Sequence, residues 1–284
     1  MIGARGGLEG KWSSVRGGLQ RNWWTLGRFG LTPHKVLARV CPGDAPTVLC
    51  VSIPKAGTHL LERALCLHPA LYRRLVPTIS GENIDRHGGL SSLLSRLRPG
   101  QVILSHLRYA PELRDTTFRQ GTRGLFLVRD PHDIVVSEAF YLSRDRRHRH
   151  HALFASLPSE KERIRLAITG DRARDVISIG RRLRYFAGWL DSGFMVVRFE
   201  ELVGPAGGGS DTAQSAALRS IFNHLGVEAS PAQVERIATR LFSNRSPTFR
   251  RGMIGAWQDH FDPELQRLFD EVVGDELSRL GYAS

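Results

Sequence analysis

Thr47–Leu65 read TVLCVSIPKAGTHLLERAL. Seven mostly apolar or β-branched residues run into Pro54-Lys55-Ala56-Gly57-Thr58-His59, and a helical pattern starts at once. A short apolar strand followed by a turn and a helix belongs in a parallel sheet covered on both faces. Ligands of such sheets sit beyond the carboxyl ends of the strands, which makes Pro54–Thr58 a binding loop. The helix that follows offers unpaired N–H groups and the positive end of its dipole. Gly57 lets the backbone approach an anion, Thr58 can cap the helix and donate its hydroxyl, and Lys55 adds a point charge. This is an abbreviated phosphate loop. It departs from the GxxxxGKS/T pattern because the lysine precedes the glycine, which disfavours an ATPase built around Mg²⁺. An ordinary strand–turn–helix accounts for the same residues, since Gly and Thr are common in turns.

A second junction has the same plan. Strand GLFLV (Gly124–Val128) ends at Arg129, Asp130 follows, and Pro131 suits a first helical turn. Ser137 lies two turns beyond Asp130 and shares its face. Arg129 and Ser137 are thus placed to hold one anion, a guanidinium being the natural bidentate partner of a terminal phosphate. An Arg–Asp surface pair is the plainer alternative. Two anion sites in one sheet suggest a ligand with two separated anionic groups.

Further strands are expected at QVILSHL (Gln101–Leu107) and FMVVRF (Phe194–Phe199), with helices over His59–Leu67, over roughly 159–190, and twice more before Phe242. RDRRHRHHALF, Arg144–Phe154, reads as a solvated loop, and GPAGGGS, Gly204–Ser210, as a flexible linker. His148, His150 and His151 are flanked by arginines that repel a cation, so no metal site is expected there. The fold class is α/β: a parallel β-sheet flanked by helices, with a P-loop-like nucleotide-binding architecture. It forms a single domain over residues 44–284, preceded by a basic arm at 1–43.

The chain of 284 residues carries a net charge of +12, distributed unevenly. Residues 1–43 hold +6 and residues 144–186 hold +7, so the remainder is nearly neutral. Such stretches suit anionic partners: nucleic acid, anionic lipid or a phosphorylated ligand. In the arm, Trp12, Val15, Leu19, Trp23, Leu26 and Phe29 share one helical face. A basic helix of this kind over residues 12–29 suits peripheral contact with an anionic membrane, or packing on its own domain. Cys41, Cys50 and Cys66 lack CxxC spacing, which fits a reducing compartment and offers no zinc site. No apolar run approaches the ~20 residues of a membrane span, and the N-terminus lacks a secretory core. The expected location is cytoplasmic, with membrane association as an option.

Four stretches, PKAGTHLL, RDPHDIVVSEAFY, RFEEL and FRRGMIGAW, resemble in their order the signatures of the sulfotransferase family that uses 3′-phosphoadenosine-5′-phosphosulfate (PAPS). The resemblance spans about residues 47–284. It implies that Lys55, Ala56, Gly57, Thr58 and His59 grip the 5′-phosphosulfate. It further implies that Arg129, Ser137, Arg250, Arg251 and Gly252 bind the 3′-phosphate, with Phe199 near the adenine. The family's base is a histidine at a strand end, which implies His106 in Ser105-His106-Leu107. A neutral imidazole titrating near 6.5 can take the proton of an acceptor hydroxyl, while Lys55 stabilises the departing phosphate. The implied partner is a small-molecule or lipid acceptor, with no metal and no nucleic acid expected.

Some positions depart from the family pattern. Leu60 stands where many members stack a tryptophan on adenine, and Leu104 where many carry a lysine. Ala56 and His59 replace hydroxyl residues, and GAWQDHFDPELQ lacks the family's dimer motif. The basic segment around residues 144–151 tends to border the acceptor cleft in this family, which makes an anionic acceptor conceivable. Two alternatives stay open: a P-loop-type small-molecule kinase, and a non-catalytic nucleotide-binding or membrane-surface adaptor.

Overall fold

A computed structural model describes residues 26–33, 35–36, 44–242 and 252–282. Five strands, β1 (Val48–Ser52), β2 (Tyr72–Arg73), β3 (Gln101–Ser105), β4 (Arg123–Val128) and β5 (Met195–Arg198), form one sheet in the order β2-β3-β1-β4-β5. Every pairing is parallel, with Val48 opposite Val102 on one side and Arg123 on the other. No residue of β1 is exposed to solvent. That is why β1 reads as an unbroken apolar run rather than an alternating one.

Helices cover both faces. In chain order they are α1 (Thr58–Leu67), α2 (Gly89–Ser95), α3 (Pro111–Arg119), α4 (Pro131–Arg144), α5 (His151–Ser156), α6 (Glu160–Thr169), α7 (Ile179–Ala187), α8 (Phe199–Leu202), α9 (Asp211–Leu225), α10 (Pro231–Leu241), α11 (Pro263–Val273) and α12 (Glu276–Arg279). Most starts follow from local chemistry. Pro111, Pro131, Pro231 and Pro263 occupy first turns, and Asp130, Ser159, Ser178, Ser210, Ser230 and Asp262 cap with their side chains.

Several boundaries differ from the sequence reading. Strand β3 stops at Ser105 and β5 at Arg198, so His106 and Phe199 stand just past their strands. The helices expected over 159–190 are α6 and α7, separated at Gly170, whose φ of 68° leaves the helical region. The Arg144–Phe154 segment is not a solvated loop throughout: His151 opens α5, and the fully buried Phe154 ties it to the core. Gly204–Ser210 is a packed turn rather than a flexible linker. A Cβ at Gly207 would fall 2.2 Å from Val203 Cγ2 and 2.6 Å from the Gly252 carbonyl, and Ile254 N donates to Gly207 O at 2.9 Å.

The described part of the N-terminal segment packs on the domain. Lys35 is buried and donates from Nζ to the carbonyls of Gly27 (3.0 Å), Cys66 (2.6 Å) and Leu71 (2.6 Å). One of these belongs to the last turn of α1, where carbonyls lack helical partners. Arg28 pairs with the buried Glu62, which also accepts from Arg73 Nη1 and His59 Nδ1. Burial pushes the Glu62 carboxyl up, but the His59 bond and the Arg73 and Arg28 charges outweigh it and hold the carboxyl below its ordinary value. The amphipathic pattern over 12–29 lies, apart from residues 26–29, outside the described residues.

Replacing Lys35 with Met keeps the apolar stem but strands carbonyls that the ammonium satisfies. The full chain should lose about 1–3 kcal/mol of stability in urea unfolding, the usual cost of unsatisfied buried polar groups. An unchanged unfolding midpoint would show that residues 26–36 do not hold α1.

Candidate functional site

The turn after β1 is built by two residues in the left-handed region, Lys55 (φ 72°) and Gly57 (φ 104°). Gly57 precedes the first residue of α1, and a Cβ there would lie 2.6 Å from Phe199 Cδ2. Glycine is therefore required twice over, by its φ and by the ring against it. Ala56 is fully buried and donates from N to Ile53 O at 3.0 Å, closing the turn. The result points the first N–H groups of α1 at the space beyond the sheet.

Arg129 leaves β4 on the other side of Phe199. Its guanidinium carbon sits 4.2 Å from the centre of the Phe199 ring. Nη2 donates to Met253 O at 2.8 Å and lies 3.2 Å from Asp133 Oδ2. Asp133 also accepts from Gly255 N (3.0 Å) and Trp257 N (3.1 Å), so one buried carboxylate fixes both the arginine and the 253–257 segment. Burial raises the Asp133 pKa, against the lowering effect of Arg129. Arg129 Nε is buried and makes no hydrogen bond. Trp257 and Phe269 stack on either side of His132, whose Nδ1 bonds Asp130 Oδ1 at 2.8 Å, which braces the same segment.

His106 follows β3, on the side of β1 away from β4. Its N–H donates to Ile79 O at 2.7 Å, and its Nδ1 lies 2.9 Å from Ser52 O and 3.2 Å from Ser52 Oγ. A carbonyl can only accept, so Nδ1 carries the proton and Nε2 keeps a free lone pair. Ser52 Oγ is also 2.7 Å from Thr58 Oγ1, which links the histidine to the anion loop through two hydroxyls. Burial lowers the His106 pKa to about 4; positive charge on His59, Lys55 and Arg182 adds to that, while the bond to Ser52 opposes it. An imidazole titrating near 6.5 is therefore corrected to one that stays neutral well into the acid range.

Lys55 points its ammonium at the face of Tyr141, 3.8 Å from the ring centre. Burial lowers its pKa to about 8; Glu138 and Asp145 resist, and Arg129 and Arg182 contribute to the lowering. Glu138, one turn before Tyr141 on α4, is held by Arg182 of α7 through both guanidinium nitrogens, with Nη2 to Oε1 at 2.6 Å.

The fold thus brings Lys55, Ala56, Gly57, Thr58, His106, Arg129 and Phe199 to one end of the sheet. Ser137 is half-buried on α4 beside Glu138. Gly252 precedes Met253 and has φ 63°, whereas Arg250 and Arg251 lie outside the described residues. The His59 side chain turns away from the loop to Glu62. Leu60 packs against the core, and Leu104 is buried within it. No cluster of His, Cys, Asp or Glu suited to a metal occurs among the described residues. No described helix is long and apolar enough to cross a membrane. Sequence reasoning did not find Ser52, Asp133, Glu138 or Arg182. Asp133 and Glu138 sit within the second motif and were open to inspection there, but nothing in the sequence pairs Arg182 with either.

A family model described as sulfotransferase domain matches residues 45–281. No curated protein matches the sequence. Among solved structures, the mouse sulfotransferase SULT7A1 complexed with PAP aligns with a TM-score of 0.62 at 21% identity, covering 85% of this chain and 90% of that one. Retinol dehydratase in complex with androsterone and inactive cofactor PAP aligns at 0.55 and 16% identity, covering 83% of this chain and 82% of that one. A sulfotransferase from Alicyclobacillus acidocaldarius aligns at 0.50 and 17% identity, covering 83% and 94%. At these identities the structural likeness establishes the fold.

An NMR titration of the histidines tests the geometry without any assay of activity. His106 should remain in its Nδ1–H tautomer and titrate with a midpoint near 4. A midpoint near 6.5 would mean that the imidazole is not buried at the end of β3.

Proposed function

The chain belongs to the sulfotransferase domain family, and from that premise we propose that it transfers a sulfuryl group from PAPS to an acceptor hydroxyl or amine, with His106 as the base. The observation that carries this reading is the bond from His106 Nδ1 to Ser52 O. It leaves Nε2 as the proton acceptor, at the strand end next to the loop built for an anion.

The residues present fit a donor with two anionic ends. Gly57 has no Cβ to block approach to the loop, and Arg129 keeps a buried Nε without a partner. The donor supplies an activated sulfur–oxygen bond and a phosphate leaving group. Nε2 of His106 takes the acceptor's proton as the acceptor atom attacks sulfur, and the electrons of the breaking bond end on the 5′-phosphate oxygen. Lys55, the Thr58 hydroxyl and the first N–H groups of α1 stabilise the charge that grows there, one such donor being worth about 3 kcal/mol. Arg129, with Ser137 and the Gly252 segment, would hold the 3′-phosphate, and Asp133 keeps the guanidinium aimed. Arg250 and Arg251 are proposed for the same phosphate on the resemblance alone.

The base has a depressed pKa, so acid does not silence it near neutrality. For the free enzyme, kcat/KM should stay level as pH falls through 6.5 and decline only towards pH 4, where Nε2 becomes protonated. A decline centred near 6.5 would assign the acid limb to another group.

Three further outcomes follow. Adenosine 3′,5′-bisphosphate should stabilise the protein without Mg²⁺, by about 2.7 kcal/mol at 100-fold excess over Kd; a response only to ATP with Mg²⁺ would favour a kinase. His106→Ala should reduce turnover by about 10²–10⁴ with little change in nucleotide affinity. Arg129→Ala should weaken binding of a 3′-phosphorylated nucleotide much more than of its 3′-dephospho analogue, and equal losses would refute the phosphate assignment.

A further inference from the structure

Glu138 is an unexpected residue to find near an anion site. It lies on α4 directly after Ser137, half-buried, on the face that also carries Tyr141 one turn later. Lys55 rests its ammonium on the Tyr141 ring at 3.8 Å, so the lysine and the carboxylate share one side of α4. Arg182 reaches across from α7 and grips both carboxylate oxygens. Burying a carboxylate is costly unless it is paired. A single arginine would meet that need if the pair served only to staple α7 to α4. The pair instead stands beside a half-buried lysine that the proposed reaction needs in its charged form.

We infer that Glu138, oriented by Arg182, is a positioning residue for Lys55: it keeps the ammonium protonated and held against the α4 side of the phosphate loop until the nucleotide binds. The inference rests on the sulfotransferase reading and deepens it by naming what controls the loop lysine. The charged and titratable groups around Lys55 are Glu138 and Tyr141 on α4, Asp145 just past its end, Arg129 at the end of β4, Arg182 on α7 and His106 at the end of β3. His106 is neutral near physiological pH, and the Tyr141 hydroxyl is pushed upward by burial, so neither contributes charge there. Asp145 lies one turn beyond Tyr141 and also pairs with Arg147. That leaves Glu138, and to a lesser degree Asp145, favouring the ammonium and two arginines opposing it, with Arg182 partly neutralising the carboxylate that helps most. Without Glu138, the lysine would face two guanidiniums in a site from which water is largely excluded.

The arrangement makes the two partners act with opposite sign. Removing Glu138 takes away the favourable charge, so Lys55 should lose its proton at lower pH. Removing Arg182 takes away an opposing charge and frees Glu138 to face the lysine alone, so Lys55 should lose its proton at higher pH. A pair that served only as a helix staple would weaken both variants alike and displace neither titration.

The test is calorimetric binding of adenosine 3′,5′-bisphosphate to the full chain between pH 6 and 10, without any acceptor. Affinity of the unaltered protein should fall as the pH rises past the Lys55 titration, which lies at about 8 in the free protein. In Glu138→Gln the fall should move to lower pH, and in Arg182→Gln to higher pH, each by on the order of one pH unit. Arg182→Lys, which retains a charge, should stay near the unaltered profile and guards against a folding defect in the glutamine variant. Lys55→Met should abolish the fall altogether. Shifts in the same direction, or no shift in folded variants, would overturn the inference while leaving the nucleotide site intact. No binding at any pH in the unaltered protein would sink the functional reading and the inference with it.

Discussion

The parallel sheet is sealed on both faces, and that seal decides where chemistry can occur. Every residue of β1 is excluded from water, and β3 and β4 are almost as dry. A polar side chain within those strands would need a partner that the apolar layers do not offer. Polar function is therefore confined to the strand ends. Ser52 closes β1, His106 follows β3, Arg129 follows β4 and Phe199 follows β5. Four neighbouring strands in parallel deliver these four residues to the same side, because all their carboxyl ends point one way.

The site that results holds more buried positive charge than the local carboxylates balance. Lys55, Arg129 and Arg182 converge there, with Asp133 and Glu138 between them. Such a cluster opposes folding unless each cation is restrained, and here each one is. Asp133 and Met253 O hold Arg129, Glu138 holds Arg182, and the Tyr141 ring receives Lys55. In the proposed function the same restraints would prepare the cluster for an anion. Its guanidinium and ammonium groups are already desolvated and aimed, so little reorganisation remains when negative charge arrives. The depressed pKa of His106 belongs to the same field, since burial and nearby cations both disfavour a further positive charge there.

Residues 26–36 show that a segment outside the family match still serves the domain. Lys35 satisfies a carbonyl in the last turn of α1 and another just beyond it, and Arg28 joins the Glu62 network near its middle. Both fix the helix whose first turn frames the anion loop.

The fold and the two strand-end turns at Pro54–Thr58 and Arg129–Pro131 were legible in the sequence because both depend on local chemistry. An apolar run too short for a core helix, a glycine where φ must be positive, and a proline in a first turn each act over a few residues. The same locality explains the misplaced boundaries. Strand endings at His106 and Phe199, the helix at His151 and the packed turn at Gly204–Ser210 depend on what lies across the fold, such as Ile79, Phe154's neighbours and the Gly252 carbonyl. The residues that tune the site escaped for a stronger reason. Arg182 meets Glu138 from 44 positions away, and Asp133 binds backbone N–H groups more than 120 positions away. No periodicity joins such pairs. The sequence by itself determined which residues could carry charge and where the chain could turn. The tertiary structure alone decided which charges share one desolvated space, because electrostatic coupling depends on distance and burial, and neither is written along the chain.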